Sequence, residues 1–504
     1  MIKVFSRLAM DRKGFKTMKS ATDIVENPQF IGRKFELDLL RDISSKGSAS
    51  IIVVYGRRRV GKTELLEQAF RDRNVLKFEG IEGQDKAYQI RSFCQELAIY
   101  AEEPKLAEKE CFSWREALQL LVSYIKKGQW TLYLEELQWL ACGETELIAE
   151  LKYFWDNYFR RNPELILILC GSSRSFMVEK VLHSKALYNR SQYEIALKPL
   201  KITETFEFFG PKYHINDVVS AHLTVGGMPL YLQYLKDESS IFVGLCKNSF
   251  RTGSFFVGEI KRIFTSSLGV NEDYQKIIEI LAERRFATRD DIAAALSVKS
   301  GGSFTAALND LELAGFVESY TPFDLGEKSK LLRYSISDPY LRFYFSFIAP
   351  LEKKIENGDF NFNPVSALSL QQYRQWLGYE YERLCRLEHG RIAQLLGFNG
   401  VKYRYGSFFN RAMEKEDRGL QLDLVFDRED NVLTVCEIKF GDIKNIPEIA
   451  QDLNRKVTYL SKKFPPPHKI QTVLITGTVK VSKQQTAGIF DQVLNMEDLF
   501  PTLG

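Results

Sequence analysis

Eight consecutive residues, Gly56-Arg57-Arg58-Arg59-Val60-Gly61-Lys62-Thr63, match the pattern G-x-x-x-x-G-K-[ST] in full. The chemistry this pattern suits is the cradling of a phosphate chain. Glycines let successive backbone N–H groups close around an anion, and a helix N-terminus adds its positive end. In that arrangement Lys62 neutralises phosphate charge, and the Thr63 hydroxyl is a candidate ligand of Mg²⁺. A phosphate site needs a further acid for the metal. Trp130-Thr131-Leu132-Tyr133-Leu134-Glu135-Glu136 is an apolar run ending in two carboxylates. Glu135 is the expected metal-side acid and Glu136 the residue that polarises the attacking water. Aspartate is usual at the first of these positions, so Glu135 is one methylene longer than the role requires.

Two more candidates surround these residues. The apolar run Leu165–Cys170 ends in Gly171-Ser172-Ser173, where a hydroxyl can sense the terminal phosphate or the water. Ser172 and Ser173 are both candidates, and the sequence does not choose between them. Arg190 precedes another apolar run and is a candidate charge stabiliser for a leaving phosphate, with a surface ion pair as the alternative.

A second constellation lies far downstream. Gly419–Asp427 and Asn431–Phe440 read as two strands joined by the polar turn Arg428-Glu429-Asp430. Reflecting the strands about Asp430 sets Asp423 opposite Glu437, and Glu437 shares a face with Lys439. Opposed carboxylates repel unless a cation sits between them. Asp423 and Glu437 are therefore candidate metal ligands, and Lys439 a candidate for orienting water or stabilising developing negative charge.

Elements must position these groups. Strand-like runs at 50–55, 75–78, 130–134, 165–169 and 193–197 alternate with amphipathic stretches, as in a parallel sheet covered on both faces. Between about 271 and 337 the pattern changes to three helices and a hairpin. Thr288 and Asp291 are spaced as a capping box, and Gly315 ends the third helix. That order is the winged-helix pattern. The third helix, Ser303–Ala314, carries Asp310 and Glu312 and no Lys or Arg, a poor match to a DNA-reading helix. After an aromatic helix and a linker (341–370), a second α/β segment begins near Gln371.

Composition bounds the function classes. The chain has 504 residues with 69 Lys+Arg and 65 Asp+Glu, a formal charge of +4, and 45% hydrophobic residues. This is a globular balance with room for three or four domains. Apolar runs fall far short of a bilayer span, so a cytoplasmic, membrane-free protein is expected. Seven cysteines without C-x-x-C spacing and five scattered histidines argue against zinc and point to hard-cation sites. Residues 371–504 hold 19 Lys+Arg and 17 Asp+Glu, too balanced for a broad DNA clamp. Local phosphate contacts would rest on Arg455 and Lys456 and on Lys462, Lys463, His468 and Lys469 around Pro465–Pro467. Residues 1–26 read as a basic, disordered lead.

Phe30-Ile31-Gly32-Arg33-Lys34-Phe35-Glu36-Leu37, the phosphate loop, Glu135-Glu136-Leu137-Gln138, Gly171-Ser172-Ser173 and Gly226-Gly227-Met228-Pro229 occur in this order. Together they resemble the archaeal-type ATPase family, a branch of the AAA-related signal-transduction P-loop NTPases. The resemblance implies Mg-ATP binding, slow hydrolysis, Gly32 and Arg33 near the adenine, and a lid around Gly227-Met228-Pro229. The downstream residues resemble the PD-(D/E)xK nuclease core and the uncharacterised domain that often follows such ATPases. In that setting Gly378–Glu382 resembles a conserved helix start, which implies Glu382 as an accessory metal ligand. The expected architecture is thus α/β: a P-loop NTPase parallel sheet with lid (27–240), a winged-helix segment (241–340), a helix and linker (341–370), and a restriction-endonuclease-like α/β domain (371–504). The expected function is a Mg-ATP switch coupled to a domain that cleaves nucleic acid. The alternative is a regulatory ATP-binding scaffold with a dead nuclease fold that binds DNA, a protein partner or a second copy.

Overall fold

A computed structural model describes residues 27–500, apart from 29, 185–186, 188–189, 237, 269–271, 299–300, 326–328, 330, 411–419, 442, 444, 464–468 and 483. The expected lead 1–26 and the Pro465–His468 loop lie outside the described residues, as do the side chains of Lys462 and Lys463. The chain divides into two compact units, 1–198 and 199–504. Residues 199–240, expected with the first domain, are therefore described with the second unit.

The first unit is built on five parallel strands: β1 (Ser50–Tyr55), β2 (Asn74–Glu79), β3 (Trp130–Glu135), β4 (Ile166–Gly171) and β5 (Ser191–Ala196), in the order β2-β3-β4-β1-β5. Every residue of β1, β3 and β4 is buried, while β2 and β5 at the edges are only partly buried. Helices on both faces explain this, since a central parallel strand must be apolar on both sides. One face packs Ile51, Val53, Leu76, Leu132, Leu134 and Leu167 against Phe93, Leu97, Leu118 and Leu151 of covering helices. The strand order also places the chemistry. β4 lies between β1 and β3, so the residues following three adjacent strands meet at one sheet edge: the loop after Tyr55, Ser172 after Gly171, and the acid pair at Glu135.

The second unit holds a mixed sheet, β13-β12-β11-β10-β9, of β9 (Tyr403–Asn410), β10 (Leu420–Arg428), β11 (Val432–Lys439), β12 (Lys469–Thr476) and β13 (Gln492–Asn495). β10 pairs antiparallel with β9 and β11, and β12 pairs parallel with β11 and β13. The observed pairs Leu424↔Cys436 and Asp427↔Leu433 have the register expected from a turn centred on Asp430. Asn431, with φ 59°, takes the left-handed turn position that asparagine tolerates. Sequence reasoning overlooked β9 and β13. The helices Leu370–Leu387 and Ile446–Lys463 flank this sheet.

The segment before the mixed sheet has three helices, Glu272–Arg284, Arg289–Leu296 and Gly302–Leu313, and a small antiparallel sheet. Its strands are β6 (Ala287–Thr288), β7 (Val317–Tyr320) and β8 (Arg333–Ile336), ordered β6-β8-β7. Thr288 and Asp291 form the expected capping box, and Gly315 takes φ 75° after the third helix. This small sheet is not free. Phe323, in the connection between β7 and β8, is buried in the core formed by Phe408, Leu422, Val435 and Leu460. Glu318 on β7 pairs with Arg383 on the helix Leu370–Leu387. One turn earlier on that helix, Glu380 is buried and takes the Arg342 guanidinium with both oxygens, at 2.9 and 2.8 Å from Nε.

Candidate functional site

The phosphate loop leaves β1 and enters the helix Lys62–Phe70. Two positions turn it. Gly61 has φ 91°, and Arg59 has φ 71°, a left-handed conformation that is costly for a non-glycine residue. Gly56 is fixed by close approach, because a Cβ there would lie 2.4 Å from the Leu197 carbonyl oxygen. Val60 is fully buried and anchors the loop, and its carbonyl accepts from Arg33 Nη2 at 3.0 Å. Arg33 is itself buried and follows Gly32, both with left-handed φ. The structure thus places Gly32 and Arg33 against the loop. Lys62 Nζ donates to the carbonyls of Gly56 (3.0 Å) and Arg57 (3.2 Å), so the ammonium sits over the mouth of the loop. Arg58 meets Glu82 at 3.7 Å, with both side chains about half-exposed.

The two expected acids separate cleanly. Glu135 is buried; one oxygen accepts from the Thr63 hydroxyl and the other from Lys77 Nζ at 2.6 Å. The longer glutamate therefore reaches the hydroxyl with which it is expected to share a metal. Glu136 begins the next turn with φ 48°. Its Oε2 accepts from Ser172 N (3.1 Å), Ser172 Oγ (2.6 Å) and Gln138 Nε2 (2.6 Å). The two candidate serines take different places. Ser172 is buried beside Glu136, whereas Ser173 Oγ caps the short helix Arg174–Phe176. Gly80 packs under the acid turn, where a Cβ would lie 2.5 Å from the Glu136 carbonyl oxygen.

Arg190 is not brought to this cluster. Its guanidinium makes a two-pronged pair with Asp156, Nε–Oδ1 2.9 Å and Nη2–Oδ2 3.1 Å. That hydrogen bonding holds the Asp156 carboxyl below its usual range. The arrangement is the surface ion pair weighed as the alternative. Sequence reasoning missed Lys77 and gave Gln138 no role. Gln138 lay inside the quoted motif. Lys77 becomes visible only once β2 is known to border β3.

In the second unit Asp423 and Glu437 are buried on adjacent strands. Asp423 Oδ2 accepts from Ile438 N at 2.9 Å. Burial and the Glu437 charge push the Asp423 carboxyl up to about 6. Glu437 takes Lys439 Nζ on Oε1 (2.7 Å) and Lys456 Nζ on Oε2 (2.9 Å). Lys456 comes from the helix Ile446–Lys463, is buried, and also meets Asp452 at 2.9 Å. It was noted in the sequence only as a candidate phosphate contact. Burial and then Asp423 push Glu382 up to about 8, and its nearest cation is Arg386 at 3.9 Å. Among the described residues no group of three or more His, Cys, Asp or Glu is arranged to hold a metal ion. Glu382, expected as an accessory ligand, feels the charges of Asp423 and Glu437 but is not grouped with them in such a set. Arg386, its ion-pair partner, stands one helical turn away. No helix among the described residues is long and apolar enough to cross a membrane.

Residues 30–235 match the family model described as an ATPase domain predominantly from Archaea. An uncharacterized protein of Methanocaldococcus jannaschii is 28% identical over 436 residues, covering 85% of this chain and 91% of its own length. Among solved structures, the Walker-type ATPase of Pyrococcus abyssi covers 64% of this chain and all of its own, at 18% identity and TM-score 0.47. The ORC2 protein of Aeropyrum pernix covers 69% of this chain and 98% of its own, at 15% identity and TM-score 0.44. The family match and the loop geometry, rather than these distant likenesses, carry the assignment: residues 30–235 hold an ATP-binding ATPase domain.

Proposed function

We propose that the protein is an ATP-dependent switch whose second unit carries a metal-dependent nuclease site of the PD-(D/E)xK type. At the ATP site the donor set is hard oxygen, the Thr63 hydroxyl bonded directly to the Glu135 carboxylate, and it suits Mg²⁺. Bound there, Mg²⁺ would neutralise charge on the β- and γ-phosphates. Lys62 and the backbone of Gly56–Gly61 bind the phosphates, and Glu136, held by Ser172 and Gln138, polarises the attacking water. Arg190 serves only if it leaves Asp156.

The observation that carries the nuclease half is the convergence of Asp423, Glu437 and Lys439. Two buried carboxylates lie on adjacent strands, close enough for the Glu437 charge to act on Asp423, and Lys439 bonds Glu437. Such an arrangement suits a hard divalent cation and a phosphodiester. The three helices and small sheet before it are read as a winged helix. Because Phe323 and Glu318 are engaged by the mixed-sheet domain, the segment serves as an internal coupling module rather than a DNA reader. The test is nicking of DNA with ATP and Mg²⁺ or Mn²⁺. Lys439→Ala should abolish it, and cutting at the parental rate would refute the site.

One observation favours a second reading, a regulatory scaffold with a non-cutting nuclease fold. Both Glu437 oxygens are already taken by lysines, and no three-ligand set is present among the described residues. Calorimetry of Mn²⁺ with the nucleotide-free chain decides. Binding that is lost in Asp423→Asn selects the nuclease; no binding, with ATP affinity intact, selects the scaffold.

A further inference from the structure

The ATP site has one departure from the expected pattern, a glutamate where aspartate is usual, and one unassigned residue in contact with it. We propose that Lys77 is the positioning residue that makes the longer Glu135 serviceable as the metal-side acid. The proposal rests on the nucleotide reading of the site.

The topology explains how Lys77 arrives there. β2 pairs parallel with β3, Lys77 opposite Tyr133 and Glu79 opposite Glu135. In a strand, residues two apart share a face, so Tyr133 and Glu135 project the same way. Lys77 runs along that face, with Nζ 5.6 Å from the centre of the Tyr133 ring, and ends 2.6 Å from Glu135 Oε2. The same ammonium lies 3.4 Å from Glu67 on the helix Lys62–Phe70. It therefore ties together the two elements that supply the metal-side groups: the helix bearing Thr63 and the strand bearing Glu135. Lys77 is about one-quarter exposed and Glu135 7%, so the pair is partly shielded from solvent.

The division of labour follows from the two carboxylate oxygens. Lys77 holds Oε2 toward β2, and Oε1 is left turned to the Thr63 hydroxyl. An aspartate has one fewer rotatable bond and is directed by the strand itself. A glutamate has an extra torsion to fix, and an ion pair on the far oxygen fixes it. A purely structural staple would behave differently. It would hold the helix to the sheet whatever acid stood at position 135.

The experiment is a double-mutant cycle in the full chain with Lys77→Met and Glu135→Asp. ATP affinity is measured by calorimetry in EDTA and across a Mg²⁺ titration. In the parent background, Lys77→Met should leave EDTA affinity within about twofold and raise the Mg²⁺ needed for half-maximal affinity gain about tenfold. In the Glu135→Asp background the same substitution should shift that Mg²⁺ midpoint by less than about twofold. Lys77→Arg, which keeps the charge, should restore most of the parental midpoint. An unchanged midpoint in Lys77→Met, or an equal shift in both backgrounds, overturns the positioning role. Should Lys77→Met fail to fold, Glu67→Gln frees the helix end of the tie alone, and a Mg²⁺ midpoint then equal to that of the parent supports a role directed at Glu135. A Glu67→Gln shift as large in Glu135→Asp as in the parent background overturns that role. A parent chain that binds no ATP overturns the nucleotide reading and this proposal together.

Discussion

Replacing Glu96 by Gln should stabilise the protein above neutral pH and do nothing at low pH. Glu96 lies on the helix Lys86–Ala101, half-buried; burial first, and then the Glu79 charge, push its carboxyl up to about 7, against a partial pull from Lys77. The folded state thus holds a proton that the unfolded chain loses near pH 4.5. Where the folded state binds more protons, stability falls as pH rises. The penalty is absent below about pH 4.5, grows between there and about 7, and is complete above. A rise from 4.5 to about 7 corresponds to roughly 3 kcal/mol if nothing screens the charge. Solvent reaches part of the group, so about 1–2 kcal/mol is the expected size. Glutamine keeps the shape and cannot ionise. The assay is urea unfolding of the parent and Glu96→Gln at pH 5, 6, 7 and 8, followed by a probe in the first unit such as Trp114 fluorescence. The variant's advantage should be smallest at pH 5, about a quarter of its full size, and reach its plateau at pH 8. An advantage that does not change with pH, or a loss of stability growing with pH, would refute the reasoning.

Ser172→Ala should slow ATP hydrolysis by about tenfold or more with ATP affinity unchanged, since it removes a hydrogen bond to a charged group worth about 1.5–3 kcal/mol; Ser173→Ala should stay near the parental rate in the same phosphate-release assay. Arg342→Met leaves the buried Glu380 without its cation and should destabilise the second unit by about 3–5 kcal/mol, read as a lower urea midpoint. Phe323→Ala should cost about 3–5 kcal/mol in the same measurement, because the ring is part of the mixed-sheet core. Combining the last two should give less than the sum if they break one docked surface, and the sum if they are independent.

The groups that were legible in the sequence are those whose geometry is set locally. A loop between a strand and a helix has its glycines and lysine positioned by a few residues, and the expected loop is the observed one. The hairpin register could be read because one short turn fixes it, and Leu424↔Cys436 follows from Asp430 as the centre. The capping box at Thr288 is equally local. What escaped depends on long-range order. Lys77 meets Glu135 only because β2 is the neighbour of β3, and Lys456 meets Glu437 across a helix 19 residues later. β9 and β13 were missed because each is the edge of a sheet whose order the sequence does not state. For Arg190 the sequence leaves a phosphate role and a surface ion pair open, because the partner that decides its resting state, Asp156, lies 34 residues away.

The extra methylene at position 135 shows why the distinction matters for function. Read alone, it weakens the case for a metal-side acid, because the strand end is fixed and the side chain overshoots. Read with the sheet order, it has a cause. A lysine on the neighbouring strand draws Oε2 sideways, and Oε1 reaches the Thr63 hydroxyl as a shorter acid would. A substitution that looks degenerate along the chain can thus be half of a pair. The other half is found by asking which cation touches the longer acid. Applied to Glu437, the same question finds Lys439 and Lys456 on its two oxygens, so any cation arriving there must compete with a lysine already in place. Metal binding at the second site should therefore be weaker than at a carboxylate pair without such lysines, and Lys456→Met should tighten Mn²⁺ binding where Asp423→Asn abolishes it.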